Sequence, residues 1–297
     1  MQIEQRAPGL ERVISPHQEI EELGRGYRYA EGPVWHREDS CLLFSDVFNS
    51  RRMKWSATEK VSVVEENTNN ANGLTRDHQG RLVICEPGLR RVSRREQDGS
   101  VTVIANSYRN QPLNQPNDVV VKSDGSIYFT DPIHGGVESE LDFYGVYRVS
   151  PDLGSINCLV RDFAFPNGLA FSPDETVLYI NDYNRNHIRA FDVRATGLLA
   201  LETDRVFSSV SNGPRTPAAD GMKVDMEGTV YCTGHGGIWI FSPDGVHLGT
   251  IPTGDGTTNL AWGDDDWSAM YITTIKTLLR IRLKIPGVPV PRGTLEA

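Results

Sequence analysis

One short phrase recurs six times along the chain and constrains its fold more than any other feature. Each copy begins with a carboxylate or amide residue, continues with an alternating apolar run, turns, and ends in a second apolar run. The six leading residues are Glu31, Asn72, Asn117, Asn167, Asp220 and Asn259. A repeat of roughly 40 to 50 residues with four strands is typical of a propeller blade. The sequence therefore predicts an all-β protein, a six-bladed β-propeller with four antiparallel strands per blade.

The repeats extend over nearly the whole chain, which has 297 residues. Closed all-β folds of this size commonly form one domain, so we predict that residues 1–297 are a single propeller domain. Residues 1–26 precede the first repeat, and we expect them to pack on the propeller or to supply a strand that closes the ring. Residues 284–297 are rich in proline and are predicted to form an extended tail.

Charge and composition narrow the range of partners. The net charge is −9, and the basic residues form no cluster longer than a pair, which argues against nucleic-acid binding. No apolar stretch is long enough to span a bilayer, and the N-terminus lacks the apolar core of a secretory signal. We expect a cytoplasmic protein, or a periplasmic one if a signal has been removed, that is a monomer or a weak homodimer without nucleic-acid or membrane partners. The cysteines are interpreted as free thiols, since none forms a C-x-x-C pair.

The leading residues are candidate metal ligands. Inner strands run side by side around the central channel of a propeller, so the residues that open them converge. Carboxylate and amide oxygens suit Ca²⁺, whereas zinc and copper sites usually include His or Cys. The alternative is that Asn and Asp before Gly are turn residues, which tolerate left-handed backbone and form Asx turns. Glu31 and Asp220 favour the metal, because a turn does not need Glu whereas a divalent ion needs negative charge.

Several motifs are specific in combination, and they extend the metal hypothesis. They are Ala30-Glu-Gly-Pro-Val-Trp35, Gln115-Pro-Asn-Asp118, Phe165-Pro-Asn-Gly-Leu169 with Phe171-Ser-Pro-Asp174, and Asp220-Gly-Met. Together they resemble the SMP-30/gluconolactonase family over the stretch from Tyr29 to Arg282. The resemblance implies a six-bladed propeller with a divalent metal at the channel mouth, usually Ca²⁺, with Zn²⁺, Mg²⁺ or Mn²⁺ as alternatives. It also implies that the metal ligands are Glu31, Asn117, Asn167 and Asp220, with Asn117 either a direct ligand or a looser one on the substrate side.

Two departures from the family pattern concern the substrate. Animal sugar lactonases have an Arg where this chain has Gln115, and many bacterial members read Thr-Asp-Pro-Pro-Tyr-Gly where this chain reads Thr130-Asp-Pro-Ile-His-Gly135. The second departure begins a loop that is longer than a hairpin needs, and such loops often carry function. The predicted substrate-binding residues are Gln115, Asn117, Asp131, His134 and His235.

These observations lead to one functional hypothesis with two alternatives. The chain is expected to be a calcium-dependent hydrolase of carbohydrate metabolism that opens a sugar lactone, glucono-1,5-lactone to gluconate. The ion would polarise the lactone carbonyl, and Asp220 would act as general base towards the attacking water. The alternatives are an organophosphate hydrolase similar to diisopropylfluorophosphatase, and a non-catalytic calcium-binding propeller.

Overall fold

The computed structural model describes residues 2–211, 218–254 and 256–292, and its strands form six blades around a channel. Two short strands and a helix precede the first blade: β1 (Glu4–Gln5), α1 (Leu10–Val13) and β2 (Glu21–Arg25). Blade 1 contains β3 (Ala30–His36), β4 (Cys41–Asp46), β5 (Arg51–Ser56) and β6 (Lys60–Glu66). Blade 2 contains β7 (Leu74–Arg76), β8 (Leu82–Glu86), β9 (Arg91–Arg95) and β10 (Val101–Ala105). A small hairpin follows, β11 (Ser107–Tyr108) with β12 (Gln111–Pro112).

The second half of the chain repeats the arrangement. Blade 3 contains β13 (Val119–Val121), β14 (Ile127–Asp131), β15 (Gly145–Val149) and β16 (Ile156–Val160). Blade 4 contains β17 (Pro166–Phe171), β18 (Val177–Asp182), β19 (His187–Val193) and β20 (Leu199–Ser209). Blade 5 contains β21 (Met222–Val224), β22 (Val230–Gly234), β23 (Gly237–Phe241) and β24 (His247–Pro252). Blade 6 contains β25 (Thr257–Gly263), β26 (Ala269–Thr274) and β27 (Thr277–Arg282). Single 3-10 turns at Val47–Asn49 and Pro87–Leu89 follow the second strands of blades 1 and 2. The predicted six-bladed, antiparallel propeller is confirmed.

The N-terminal residues supply strands to the last two blades. β2 pairs antiparallel with β27, with Glu21 opposite Arg280, and becomes the fourth strand of blade 6. β1 pairs with β24 and adds a fifth strand to blade 5. Because β2 leads directly into blade 1, its pairing with β27 closes the ring with backbone hydrogen bonds between the two ends of the chain.

Buried apolar side chains hold neighbouring blades together. Trp35 of blade 1 stacks on Tyr271 of blade 6 with ring centroids 5.3 Å apart, and Trp262 of blade 6 meets Tyr231 of blade 5 edge-on at 5.1 Å. All four rings are almost completely buried. Such contacts between large aromatic side chains give the inner strands fixed positions, which a site at the channel mouth requires.

The C-terminal segment returns across the far end of the channel. Val288–Arg292 line an apolar cavity there together with the last residues of the inner strands. Arg292 forms an ion pair with Glu175 at 3.2 Å and donates to the carbonyl oxygen of Pro173 at 3.0 Å. Residues 293–297 of the predicted tail lie outside the described residues. In the described part of the chain, no helix is long and apolar enough to cross a membrane.

Candidate functional site

The leading residues of the six phrases meet at the channel mouth, as predicted. A cavity of about 500 Å³ opens there, and five of them line it: Glu31, Asn72, Asn117, Asn167 and Asp220. The sixth, Asn259, lies beneath the cavity, where its Nδ2 donates to Glu31 Oε2 at 2.9 Å. The phrases therefore bring together in space residues that lie in six separate parts of the sequence.

Glycine follows four of the six leading residues, and it allows close approach between neighbouring inner strands. None of the six leading residues, all of them described by the structure, has a positive φ angle. A Cβ on Gly32 would lie 2.1 Å from the carbonyl oxygen of Asn72, and one on Gly168 would lie 2.3 Å from that of Asp220. Glycine is thus required at these positions because the inner strand touches the backbone of its neighbour, and Gly32 also has a φ of +54°. The leading residues therefore do not use the left-handed backbone that a turn residue would tolerate.

Asp220 is held towards the cavity by its backbone. Its N–H donates to Thr233 Oγ1 at 2.6 Å, and its carbonyl oxygen accepts from Gly168 N at 3.1 Å and from the Asn181 amide. The side chain is buried, and Oδ2 accepts a long hydrogen bond from the Tyr29 hydroxyl at 3.5 Å. Asp220 is therefore fixed in position while its carboxylate faces the cavity.

Glu31 and Asp220 are both buried and line the same cavity. Glu31 Oε2 accepts from Gly32 N at 2.5 Å and from Asn259 Nδ2 at 2.9 Å. Burial, and then the nearby Asp118 carboxylate, raise the pKa of Glu31. Burial and the charge of Glu31 raise the pKa of Asp220 well above its usual range. Two neighbouring carboxylates repel each other when both are ionised, so this pair needs a shared proton or a cation between them.

The amide residues complete a set of oxygens that fits a divalent cation. Within the described residues, Asn72 Oδ1 and Asn167 Oδ1 are buried without a hydrogen-bond partner, and both residues line the cavity. Buried oxygens are normally satisfied, so these two are available to a ligand. The described residues contain no group of three or more His, Cys, Asp or Glu placed to hold a metal. The candidate centre is accordingly two carboxylates supplemented by amide oxygens, the mixture that Ca²⁺ accepts.

Gln115 and His134 lie together on the cavity wall. Asn117 Nδ2 lies 3.3 Å from His134 Nε2, and the His134 ring meets Phe165 edge-on at 5.3 Å. Solvent in the cavity reaches this ring, but the surrounding protein desolvates it enough to lower the pKa of His134 to about 4. The imidazole is therefore neutral at pH 7, and it can accept one hydrogen bond and donate another.

Asp131 and His235, two of the predicted substrate contacts, do not line this cavity. Asp131 is completely buried, where its Oδ2 accepts from Asn114 N at 2.8 Å, and burial raises its pKa to about 8. It supports the backbone just before Gln115. The carbonyl oxygen of His235 accepts from Trp239 Nε1 at 2.9 Å, and its ring is half-buried. A substrate contact by either residue stays a prediction.

Sequence reasoning missed most of the aromatic wall, although a positional rule identifies it. The residue two positions before the leading residue lines the cavity in four blades: Tyr29, Asn70, Gln115 and Phe165. Two further aromatic residues line the cavity: Tyr183 directly follows the second strand of blade 4, and Phe48 lies two residues after the second strand of blade 1. Because the strands are antiparallel, the end of a second strand lies beside the start of the inner strand. Both positions could therefore have been assigned to the channel mouth from the repeats alone.

Known proteins resemble this chain over most of its length. The sequence model described as SMP-30/Gluconolactonase/LRE-like region matches residues 29–276. A gluconolactonase from Zymomonas mobilis is 28% identical over 311 residues, which cover 95% of this chain and 86% of that protein. A pentonolactonase from Haloferax volcanii is 25% identical, covering 83% of this chain and 81% of that protein. The solved structure of a gluconolactonase from Xanthomonas campestris superposes with a TM-score of 0.86 at 32% identity, covering 95% of each chain.

Proposed function

Because the chain belongs to the SMP-30/gluconolactonase/LRE-like family, we propose that it is a metal-dependent lactonase that opens glucono-1,5-lactone or a related aldonolactone to the acid. The proposal is supported by two buried carboxyl groups, Glu31 and Asp220, and the unpartnered Asn167 Oδ1, all at the wall of one open cavity. A cation held only for structural stability would be enclosed by protein. Here five leading residues face a space of about 500 Å³, which is within the usual range of about 300–1,000 Å³ for a small-molecule site.

The chemistry of the donor atoms at this site supports a divalent cation. Glu31, Asn167 and Asp220 would hold a divalent ion, with Asn117 as a further ligand or as a contact to the substrate. Ca²⁺ is the preferred ion, since all the donors are oxygens and only two are charged. When bound, the ion would supply Lewis-acid polarisation of the lactone carbonyl.

The residues of the chain perform the proton transfer and the positioning. One Asp220 oxygen takes the proton from the water that attacks the carbonyl carbon, while the Tyr29 hydroxyl stays hydrogen-bonded to Oδ2. The bond from the carbonyl carbon to the ring oxygen then breaks, and the ring oxygen takes the proton that Asp220 accepted, which gives the hydroxyl of the open acid and regenerates the base. The aromatic residues Phe165 and Tyr183, with ring centroids 5.3 Å apart, form an apolar wall beside the polar floor. This wall limits the access of bulk water to one side of the substrate.

Lactone hydrolysis by the purified protein tests the proposal. Proton release is followed in a weak buffer at mildly acidic pH, where spontaneous opening is slow, with glucono-1,5-lactone and a pentonolactone as substrates. We expect hydrolysis above the spontaneous rate with Ca²⁺ and a large loss in the Asp220→Asn variant. Rates equal to the spontaneous rate for every lactone, with Ca²⁺, Mg²⁺, Mn²⁺ and Zn²⁺ each supplied, would refute the proposed activity.

A further inference from the structure

The side-chain amide of Gln115 is largely occupied by the loop that overhangs the cavity. Its Oε1 accepts from His134 N at 2.6 Å and from Gly135 N at 3.2 Å. Its Nε2 donates to the carbonyl oxygen of Gly135 at 3.2 Å. An amide oxygen has two lone pairs, so both acceptor sites of Gln115 are filled. At most one N–H remains for a substrate hydroxyl, which makes Gln115 a poor substrate-binding residue.

The loop depends on this amide because it has little packing of its own. Gly135 and Gly136 have φ angles of +125° and +77°, and a Cβ on either would meet nothing within 4 Å among the described residues. The backbone adds one further tie, from Gln115 N to the carbonyl oxygen of Pro132 at 2.9 Å. Loss of the Gln115 side chain would therefore remove most of the hydrogen bonds that join residues 132–135 to the inner-strand side of the cavity.

The same loop carries His134 to Asn117. Since Asn117 Nδ2 is paired with His134 Nε2 at 3.3 Å, the Asn117 amide is oriented with its Oδ1 left for a ligand. Because Asn117 Nδ2 can only donate, His134 Nε2 accepts in this contact, and the proton of the ring lies on Nδ1. His134 therefore has a donor for an oxygen of the substrate, and it can present this donor only while the loop is held in place.

We propose that Gln115 is a positioning residue that holds residues 132–135 in place, so that His134 orients Asn117 and donates to a hydroxyl of the sugar lactone. This inference rests on the proposed lactonase function. It assigns hydroxyl recognition to His134, whereas the family resemblance would assign it to the residue at position 115. An Arg at position 115 has only donors and could not accept from His134 N and Gly135 N. The Gln at position 115 and the His at position 134 thus form one functional unit.

Variants of both residues, alone and combined, test the proposal. Gln115→Ala removes all three side-chain hydrogen bonds. Gln115→Glu keeps the two bonds that Oε1 accepts but places an oxygen against the carbonyl oxygen of Gly135, so it is the intermediate variant. Amide hydrogen exchange at His134 and Gly135 reports on the loop independently of activity. We expect Gln115→Ala to raise exchange there by about 5- to 30-fold, as one or two lost hydrogen bonds would, and Gln115→Glu, which keeps the acceptors of both amides, to raise it less than Gln115→Ala does. Thermal unfolding of each variant checks that the propeller itself is intact.

Kinetics on a sugar lactone then separate positioning from direct binding. Gln115→Ala and His134→Ala should each raise KM by about 5- to 30-fold and change kcat much less. If Gln115 acts through His134, the double variant should resemble His134→Ala alone, because the loop then carries nothing for Gln115 to position. Multiplying effects in the double variant would overturn the proposal, as would unchanged exchange in Gln115→Ala. If the wild-type protein hydrolyses no lactone, the proposed function fails, and the exchange measurement still decides whether Gln115 holds the loop.

Discussion

Replacing Asp220 by Asn separates the two roles that this carboxylate is proposed to play. The substitution preserves shape, and the backbone of residue 220 stays fixed by its bonds to Thr233, Asn181 and Gly168. The substitution removes one negative charge and the basic oxygen. Glu31→Gln is the matched control, because it removes one charge from the same pair of carboxyl groups and leaves the proposed base intact.

The size of the expected difference follows from the chemistry of the step. Both variants should bind Ca²⁺ more weakly, since each leaves a single carboxylate in contact with the ion. Only Asp220→Asn should lose general-base catalysis, which is worth about 10²–10⁴-fold. That range corresponds to about 2.7–5.4 kcal/mol in activation free energy. A small change in ligand geometry, common to both variants, cancels in the ratio of their rates.

The assay compares the variants at equal metal occupancy. Calorimetry gives the Ca²⁺ dissociation constant of each protein, and turnover of glucono-1,5-lactone is then measured at about ten times that constant. We expect Asp220→Asn to be slower than Glu31→Gln by at least about 100-fold. Asn167→Asp serves as a second control, since it keeps an oxygen ligand and the base, and it should turn over at a rate near that of the wild type. Equal turnover of Asp220→Asn and Glu31→Gln would refute the assignment of Asp220 as the base.

Three further predictions concern the ion, the C-terminal segment and acid stability. Exhaustive chelation should abolish lactone hydrolysis and lower the melting temperature, and Ca²⁺ should restore both; full activity in verified metal-free protein would contradict the proposed centre. Glu175→Gln removes the charged partner of Lys122 (3.0 Å) and Arg292 (3.2 Å), so it should lower the free energy of unfolding in urea by about 3 kcal/mol. The control is Glu202→Gln, in an exposed ion pair, which should change that free energy by less than about 1 kcal/mol. Burial, and then the Arg76 guanidinium, lower the pKa of His36 to about 4. Between about pH 6.5 and 4 the unfolded chain therefore binds a proton at His36 that the folded protein does not. The free energy of unfolding should fall by up to about 3 kcal/mol as the pH drops through this range. His36→Gln should flatten that part of the stability curve, and an unchanged curve would show that His36 does not cause the loss.

The repeated phrase determined the architecture of the fold and the residues that lie at the channel mouth. Six phrases of similar length each code for an inner strand and its hairpin partner, and six such units have to share one channel. The residues that open the inner strands must then meet at one end of it, which is why the six leading residues could be grouped from the repeat. The choice of Glu31, Asn117, Asn167 and Asp220 among them as metal ligands came from the family resemblance. The glycine after four of the leading residues is visible in the sequence, but its purpose, the contact with the neighbouring inner strand, depends on the tertiary structure.

Tertiary structure decided what the loop residues do. The spacing of the sequence repeats does not distinguish the roles of Asp131 and Gln115. Asp131 is buried beneath the cavity wall, whereas the Gln115 amide holds the overhanging loop. Likewise, the sequence predicted only that residues 1–26 pack on the propeller or supply a closing strand, and the tertiary structure decided that β2 pairs with β27, with Glu21 opposite Arg280. Strand periodicity depends on alternation within a few residues, and the sequence displays it directly. Loop geometry and ring closure depend on contacts between distant segments, which exist only once all six blades have packed around the channel.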